Sequence, residues 1–448
     1  HLERALHWPQ VDPDIRDTED ILMVDEPKTY AWIEDMITAL RAAFRSSRIH
    51  IGMDEAWMLG LGNYRLRHGI EPAHRLMARH LEKVRDIARR HGFSPMIWSD
   101  MYLCAASPTG EYYNAVDPIP EEVVRSVCEG VSLVYWDYCH EDGQDYDRML
   151  RLHRQFGGET MFAGGLWTWI GPAPAQDKMR RASLPALRAC EKNGVDTVVG
   201  TAWGDNGAEC SLLAALYGMQ LYAEYNYTGA TDTDWLDARF LACTGEPAAP
   251  FALMSQFNTP PGIVSRNENP VNVSKFLLYE DPLIPLYARD TQGMHFCDFY
   301  ADLAERFAAF RGQTPAFEKL YRFYEAFARL MAAKCRWREN LPALCAETAG
   351  QGIALAQDCR AEIARCRLAW EALWEQVNKP FGYEIIDLRL SGLDGRYETT
   401  IRKLERLRGG DTAVLALVRE EKLRVLSDEE GRFYGIGAWS DCVSACKI

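Results

Sequence analysis

Residues 131–138, Val-Ser-Leu-Val-Tyr-Trp-Asp-Tyr, form a short apolar run that ends in aromatic and acidic side chains. Similar runs occur at 48–54 and 95–100 before it, and at 160–167 and 197–203 after it. Segments of helical periodicity separate the runs. Strands that alternate with helices form a parallel sheet, in which each helix is the crossover to the next strand. The apolar character of the runs on both faces is that of buried parallel strands.

The ends of the five runs decide between a barrel and an open sheet. Each run finishes in side chains able to contact a sugar: Asp54–Glu55, Trp98–Asp100, Trp136–Tyr138, Trp167 and Trp203–Asp205. A barrel gathers the C-terminal ends of all its strands around one site, whereas an open sheet forms a crevice at a single switch point. Glycine-rich nucleotide-binding motifs do not follow any run. We therefore predict an α/β fold, a (β/α)8 TIM-type barrel, whose first three strands are expected before His1.

The second half of the sequence has a different character. Long helical patterns rich in Ala, Leu, Arg and Glu occupy 298–312, 314–339, 342–376 and 393–407, with a short alternating run at Tyr383–Leu390. The residues before them carry Pro260-Pro261 and several turn-forming Asn and Thr. We predict a catalytic barrel over 1–230, a connecting region over 231–284 and a mainly α-helical C-terminal domain over 285–448.

Composition limits the classes of function. The chain has 448 residues and a formal net charge of -14, which disfavours a general nucleic-acid or anionic-membrane binder. No run of about 18 apolar residues is present. The 13 cysteines contain no CxxC pair and no Cys/His cluster at zinc spacing. These features predict a cytoplasmic enzyme with reduced thiols, without a metal or other cofactor, that acts on a neutral molecule and is compatible with a homodimer.

An adjacent acidic pair follows the first run, in His50-Ile-Gly-Met-Asp-Glu-Ala56. Two neighbouring carboxylates cannot both ionise cheaply, so one of them should have a raised pKa, as a general acid at neutral pH requires. Alternatively, Asp54 caps the following turn and Glu55 is solvated. Taken alone, the pair favours this second interpretation.

Tryptophans at the strand ends change that balance. Carbohydrate sites stack sugar rings on indoles, which offer a flat apolar face and an N–H donor. Barrel cores favour branched aliphatic residues over indoles, so packing alone does not explain several indoles at equivalent positions. The residues concerned are Trp98, Trp136, Trp167, Trp169 and Trp203. We predict that most of them line a sugar-binding pocket.

The sequence His50-Ile-Gly-Met-Asp54-Glu55 resembles the His-x-Gly-Gly-Asp-Glu signature of the family 20 glycoside hydrolases, the β-N-acetylhexosaminidases. Met53 stands where the signature has its second Gly. This variant is similar to a divergent, largely bacterial branch whose members carry a helical C-terminal region. The resemblance extends from His1 to about residue 225 and more loosely to the end. His1 would then follow the third barrel strand.

The resemblance implies a retaining, substrate-assisted reaction, for which family 20 is a known exception among glycosidases. The 2-acetamido oxygen of the substrate attacks the anomeric carbon and forms an oxazolinium intermediate. Glu55 protonates the leaving oxygen and later activates water, while Asp54 orients the acetamide and stabilises the charge on its nitrogen. An aromatic hydroxyl assists, for which Tyr138 is the first candidate and Tyr102 the second. Packing at a strand end is the alternative role of Tyr138.

Further substrate-binding residues follow from the same resemblance. Trp203-Gly-Asp205 is similar to the family's Trp-Gly-Glu, whose acid binds the outer hydroxyls of the sugar, with Glu209 as the alternative acid. His50 lies near the acidic pair, although a satisfied core histidine is the alternative. His1 is expected to contact Glu55.

The main functional hypothesis is an exo-acting β-N-acetylhexosaminidase that removes terminal N-acetylglucosamine, N-acetylgalactosamine or both from an amino-sugar glycoside. Two alternatives remain open. One is another retaining barrel glycosidase, with Asp100 or Asp137 as a protein nucleophile. The other is a catalytically silent carbohydrate-binding protein.

Overall fold

Five parallel strands form one sheet in a computed structural model that describes residues 3–312 and 314–435. The strands are β1 (Arg48–His50), β2 (Ser94–Trp98), β3 (Ser132–Trp136), β4 (Thr160–Gly165) and β5 (Val198–Thr201). Their order in the sheet is the order in the chain, β1-β2-β3-β4-β5, and the first three pairings are parallel. The predicted fold class is confirmed: these are consecutive strands of a (β/α) barrel, followed by a mostly helical remainder.

Helices occupy the segments between the strands and nearly all of the C-terminal region. Those up to the end of the barrel segment are α1 (Glu3–Leu6), α2 (Pro27–Ala43), α3 (Asn63–His68), α4 (Ala73–Arg90), α5 (Asp100–Ala105), α6 (Glu121–Val124), α7 (Gly143–His153), α8 (Gln176–Asn193) and α9 (Leu216–Thr228). The later helices are α10 (Thr233–Thr244), α11 (Ala249–Ser255), α12 (Val273–Tyr279), α13 (Cys297–Phe310), α14 (Glu318–Asn340), α15 (Ala349–Val377), α16 (Tyr383–Arg408) and α17 (Ala413–Arg419). None of the helices among the described residues is long and apolar enough to cross a membrane.

Alternation along the strands separates two packing faces. In β3, Leu133 and Tyr135 belong to one apolar core, while Val134 belongs to a separate cluster that includes Trp136. The same separate cluster contains Trp98. Because successive side chains of a strand point to opposite faces, Trp98 and Trp136 share one face of the sheet. Both indoles lie at the C-terminal ends of neighbouring strands.

The chain divides into two compact units. The first unit comprises residues up to 164 together with 185–199, and the second comprises 165–184 together with the residues from 200 onward. In the first unit, Ile33 and Ile37 of α2 pack with Val84 and Ile87 of α4, which is the i, i+3, i+4 spacing of an amphipathic helix. The second unit has its own large core, which includes residues of helices α10 to α17.

One sequence prediction about the helical region is wrong. Tyr383–Leu390 is not a separate alternating run, because it forms the start of α16. Its buried residues Tyr383, Ile386, Leu390 and Leu393 recur every three or four positions, which is helical spacing. The predicted connecting region contains α10, α11 and α12. The proposed boundaries at 230 and 284 stay a prediction.

Candidate active site

The segment between β1 and Trp57 carries the acidic pair in an unusual backbone conformation. Gly52, Met53 and Glu55 have φ angles of 73°, 73° and 46°. For Met53 and Glu55 this left-handed region costs about 1–3 kcal/mol each, and such strain persists only where the surroundings hold it. The Trp98 N–H donates to the Gly52 carbonyl at 3.1 Å, so the end of β2 fixes the start of this segment.

Asp54 and Glu55 lie in different environments although they are adjacent. The Glu55 side chain is exposed, whereas Asp54 is half-buried. Burial raises the pKa of the Asp54 carboxyl above its usual value. The pair therefore combines an accessible carboxyl group with a second one whose negative charge is poorly solvated.

Asp100 connects the next strand to this pair. Its side chain is 0% exposed, and Oδ2 accepts a hydrogen bond of 2.8 Å from the Glu55 backbone N–H. Burial raises the pKa of Asp100 to about 7; the hydrogen bond from Glu55 lowers it, and the charge of Asp54 raises it. In the sequence, Asp100 stood out as a strand-end carboxylate and an alternative nucleophile, but its bond to Glu55 across 45 residues left no sequence signal.

His50 is a neutral neighbour of the pair. Its Nδ1 accepts a hydrogen bond of 3.1 Å from the Gly52 N–H, and its ring lies 4.3 Å from the Trp98 ring between centroids. Burial lowers the pKa of His50 to about 4, against the effect of Asp54. The imidazole is therefore uncharged at neutral pH and does not neutralise Asp54.

Aromatic side chains surround the ends of β2 and β3. Trp136 stacks on Tyr138 with centroids 5.4 Å apart and an interplanar angle of 21°. Tyr112 also contacts Trp136, at 4.8 Å between centroids. Trp98, Trp136 and Tyr138 are all half-buried, so each leaves part of its surface accessible. This is the exposure expected of side chains that can stack against a ligand.

Two other candidates of the first unit are enclosed. Tyr102 is 1% exposed and packs in the apolar core, where burial strongly raises the pKa of its hydroxyl. Asp137 is also buried, and its carboxylate accepts hydrogen bonds from the Tyr135 hydroxyl (2.7 Å) and the His140 Nδ1 (2.8 Å). Backbone N–H groups of Cys139 and His140 bond its other oxygen. These contacts indicate a structural role for Asp137 and argue against a nucleophile.

The remaining predicted tryptophans belong to the second unit. Trp167 is only 1% exposed, has a φ of 51° and stacks on Trp169 at 4.6 Å between centroids. Trp203 is 40% exposed, and its carbonyl accepts a hydrogen bond of 2.9 Å from the Thr168 hydroxyl. Trp203 therefore presents its indole to solvent, whereas Trp167 is a packed side chain.

The loop after β5 carries two candidate acids, Glu209 and Asp205, which lie in different environments. Glu209 is buried in a charge cluster, with Oε2 at 2.9 Å from the Lys275 Nζ and Oε1 at 3.0 Å from the Arg389 Nη1. The Tyr279 hydroxyl donates to the same Oε1 at 2.5 Å. Asp205 is exposed on the loop, and partial burial raises the pKa of its carboxyl. Asp205 is thus the accessible acid of the two.

His1 lies outside the described residues, so its expected contact with Glu55 stays a prediction. Among residues 3–312 and 314–435, no group of three or more His, Cys, Asp or Glu side chains is arranged to hold a metal ion. The accessible carboxyl of Glu55 can transfer a proton, and the half-buried Asp54 can stabilise a nearby positive charge. Together with the aromatic side chains, this arrangement fits acid–base chemistry on a sugar.

Comparisons with known proteins agree with these observations. The model of the Glycosyl hydrolase family 20 catalytic domain matches residues 5–124, and that of the Glycoside Hydrolase 20C C-terminal domain matches residues 249–434. A comparison with curated protein sequences finds no match.

Solved structures offer only distant likenesses. The family 20 exo-β-N-acetylglucosaminidase from Vibrio harveyi, in complex with N-acetylglucosamine, matches with a TM-score of 0.31 and 14% identity, over 56% of this chain and 40% of that chain. A family 138 glycoside hydrolase that targets pectin rhamnogalacturonan II matches with a TM-score of 0.29 and 10% identity, over 86% of this chain and 81% of that chain. The chain spans less than half the length of the Vibrio harveyi enzyme that it matches.

Proposed function

Since this chain belongs to glycoside hydrolase family 20, we propose that it is an exo-acting β-N-acetylhexosaminidase. It removes terminal N-acetylglucosamine, N-acetylgalactosamine or both. The observation that carries the proposal is the pair of unequal carboxyl groups after β1: exposed Glu55 beside half-buried Asp54.

The proposed reaction is substrate-assisted. Family 20 differs in this respect from most retaining glycosidases, which use two carboxylates. Glu55 protonates the glycosidic oxygen while the acetamide oxygen of the substrate bonds to the anomeric carbon. This closes an oxazolinium ring and releases the aglycone. Glu55 then takes a proton from water, whose oxygen opens the ring and restores the original anomeric configuration.

Asp54 stabilises the positive charge that develops on the acetamide nitrogen. Burial makes its negative charge unfavourable in the free protein, as the raised pKa indicates. A cationic group beside it removes part of that cost, so the interaction is stronger in the transition state than in the ground state. Neutral His50 leaves the Asp54 charge available for this purpose.

The sugar-binding assignments are part of the same proposal. Half-buried Trp98, Trp136 and Tyr138 offer ring faces for stacking, and the Tyr138 hydroxyl is the first candidate for the acetamide oxygen. The family resemblance adds Trp203 and Asp205, both of which are exposed. Trp167 and Tyr102 are enclosed, so they are better suited to shaping the site than to contacting the sugar.

The change of Glu55 to Gln tests the assignment of the proton carrier. We expect kcat/KM for 4-methylumbelliferyl N-acetylglucosaminide to fall by roughly 10²–10⁴-fold, the usual contribution of general acid–base catalysis. Glu129→Gln, which alters another exposed carboxylate, is the matched control and should retain full activity. Undiminished turnover by Glu55→Gln would contradict the proposal.

A second measurement tests the role of the acetamide. A thiazoline that mimics the oxazolinium ring should inhibit strongly, since it resembles an intermediate formed only by substrate assistance. A protein nucleophile predicts weak inhibition and equal activity on glycosides without a 2-acetamido group. Binding of N-acetylglucosamine without any hydrolysis would instead identify a silent binding protein.

A further inference from the structure

The strained segment Gly52–Glu55 is held by the end of β2 at two points. The Trp98 N–H bonds the Gly52 carbonyl at 3.1 Å, and the Asp100 Oδ2 accepts the Glu55 N–H at 2.8 Å. The first contact is between backbone groups and does not depend on the side chain at position 98. The second depends on the Asp100 carboxyl and lies at the residue whose side chain is proposed to transfer the proton.

Asp100 is itself fixed through the residue before it. Ser99 is buried, and its Oγ lies 2.7 Å from the His153 Nε2. Burial lowers the pKa of His153 to about 4, so its ring is neutral at pH 7. The His153 Nδ1 carries the hydrogen because it faces the Met149 carbonyl at 2.7 Å. Nε2 is then an acceptor, and the Ser99 hydroxyl donates to it.

We propose that Asp100 is a positioning residue for Glu55: its buried carboxyl holds the Glu55 backbone N–H and thereby fixes the orientation of the Glu55 side chain. This inference rests on the proposed function of Glu55 as the proton carrier. Without the bond from Asp100, the left-handed φ of 46° at Glu55 would relax, because a glutamate rarely adopts this region. A displacement of about 1 Å in a catalytic group can cost on the order of 10²-fold in rate.

The bond needs an acceptor oxygen and not a negative charge. Burial raises the pKa of Asp100 to about 7, so both the protonated and the ionised carboxyl are populated near neutral pH. Either form offers a lone pair to the Glu55 N–H. An asparagine offers the same lone pair from its amide oxygen, whereas an alanine offers none. Asp100→Asn should therefore behave much like the wild type in this respect, and Asp100→Ala should not.

Leaving groups of different basicity provide the kinetic test. A mispositioned acid harms departure of a phenol, which needs protonation, and spares departure of 2,4-dinitrophenol, which does not. For Asp100→Ala we expect kcat/KM to fall roughly 10- to 100-fold on the phenyl N-acetylglucosaminide and less than about threefold on the dinitrophenyl one. Asp100→Asn should recover most of the loss. An equal fall on both substrates would overturn the proposal, since a purely structural defect lowers both alike.

Asp17→Asn is the matched control. Asp17 is another buried carboxylate of the first unit, and it accepts backbone N–H bonds from Gly60 and Tyr64 at 2.7 Å each. Its variant should lose stability without acquiring dependence on the leaving group.

Hydrogen exchange provides a readout that is independent of activity. Peptides covering residues 51–58 should exchange faster in Asp100→Ala than in the wild type, with Asp100→Asn close to the wild type. Unchanged exchange would overturn the proposal. A wild-type protein that cleaves neither aryl substrate would refute the proposed function, and the exchange measurement would then decide separately whether Asp100 holds this segment.

Discussion

Adjacent residues acquire different chemistry here because the backbone changes conformation between them. Glu55 has a left-handed φ, whereas the φ of Asp54 is not positive. Their side chains consequently diverge, one to solvent and the other to a half-buried position. In the regular strand geometry of β1, the two would alternate across the sheet and one would enter a core. The strained segment allows both carboxyl groups to remain available to a substrate.

Asp100 also makes stability depend on pH. Burial raises the pKa of its carboxyl from 3.8 to about 7. Between these values the folded state retains a proton that the unfolded state has lost, so the contribution of Asp100 to the free energy of unfolding decreases as pH rises. It is fully favourable below about pH 4 and levels off above about pH 7. The wild-type advantage over Asp100→Asn, measured by urea unfolding, should therefore shrink across this interval.

The comparison with Asp100→Asn is needed because other groups titrate in the same range. Half-buried His50 and His80 and buried His153 have lowered pKa values of about 4 and contribute with the opposite sign. The titratable residues that interact with Asp100 are Asp54, Glu55 (through its backbone), Tyr102, Cys104 and Tyr112. Burial raises the pKa values of the Tyr and Cys groups, so they stay neutral below pH 8. A difference between the two proteins that is constant with pH would contradict this prediction.

The acidic pair and several strand-end aromatics were identifiable from the sequence because they occupy repeated positions after apolar runs. The extent to which each of these side chains is buried could not be identified from the sequence. Trp167 and Trp203 follow equivalent runs, yet one is 1% and the other 40% exposed. Exposure depends on which segments cover a side chain, and the local pattern does not encode those segments. The partnership of Asp100 with Glu55 was inaccessible for the same reason.

At the scale of elements, the parallel strands and most helices were predictable from periodicity. Residues 28–44 and 177–193 show helical periodicity in the sequence and correspond to α2 and α8 in the structure. Strand ends were less predictable: the run at 48–54 yields only the three residues of β1, because the backbone turns left-handed at Gly52. An apolar sequence marks burial, whereas the end of a strand is set by backbone conformation.

Helix α16 holds the loop that follows β5. The Arg389 Nη1 donates to the Asn206 carbonyl at 2.7 Å and to the Glu209 Oε1 at 3.0 Å. A Cβ added at Gly207 would lie 2.8 Å from this nitrogen. The helical region thus supports the backbone beside Asp205, although 180 residues separate Arg389 from Glu209.

Arg389→Ala should loosen that loop. We expect faster hydrogen exchange over residues 204–209 and a loss of roughly 1.5–3 kcal/mol in the free energy of unfolding, the usual worth of a hydrogen bond to a charged group. Arg396→Ala is the control on the same helix, because Arg396 pairs with Asp281 at 2.6 Å and is more exposed. Equal exchange of the loop in both variants would contradict this role of α16.

At the scale of the whole molecule, the thiols report on folding. Among the eleven cysteines of the described residues, Cys243 is the exposed one and seven are buried. Burial raises the pKa of Cys104 and of Cys190 to about 12, which suppresses the reactive thiolate. With Cys442 and Cys446 changed to Ser, the native protein should react rapidly with about one equivalent of a disulfide reagent.

Two further steps complete the thiol measurement. The additional change Cys243→Ser should abolish the rapid phase, and denaturant should expose the remaining thiols. Rapid reaction of several thiols in the native protein would show that the cores open more readily than their packing indicates.

The order of the strands has a consequence for synthesis on the ribosome. Each of the strands β2 to β5 pairs with the strand made immediately before it. Connections between successive partners are short, so only short loops have to close. A growing chain can therefore extend the sheet by one strand and one helix at a time as it leaves the exit tunnel. The second unit departs from this sequence of events, because residues 165–184 must await partners that are translated after residue 200. A pause in translation after β5 would therefore leave apolar surface uncovered for longest.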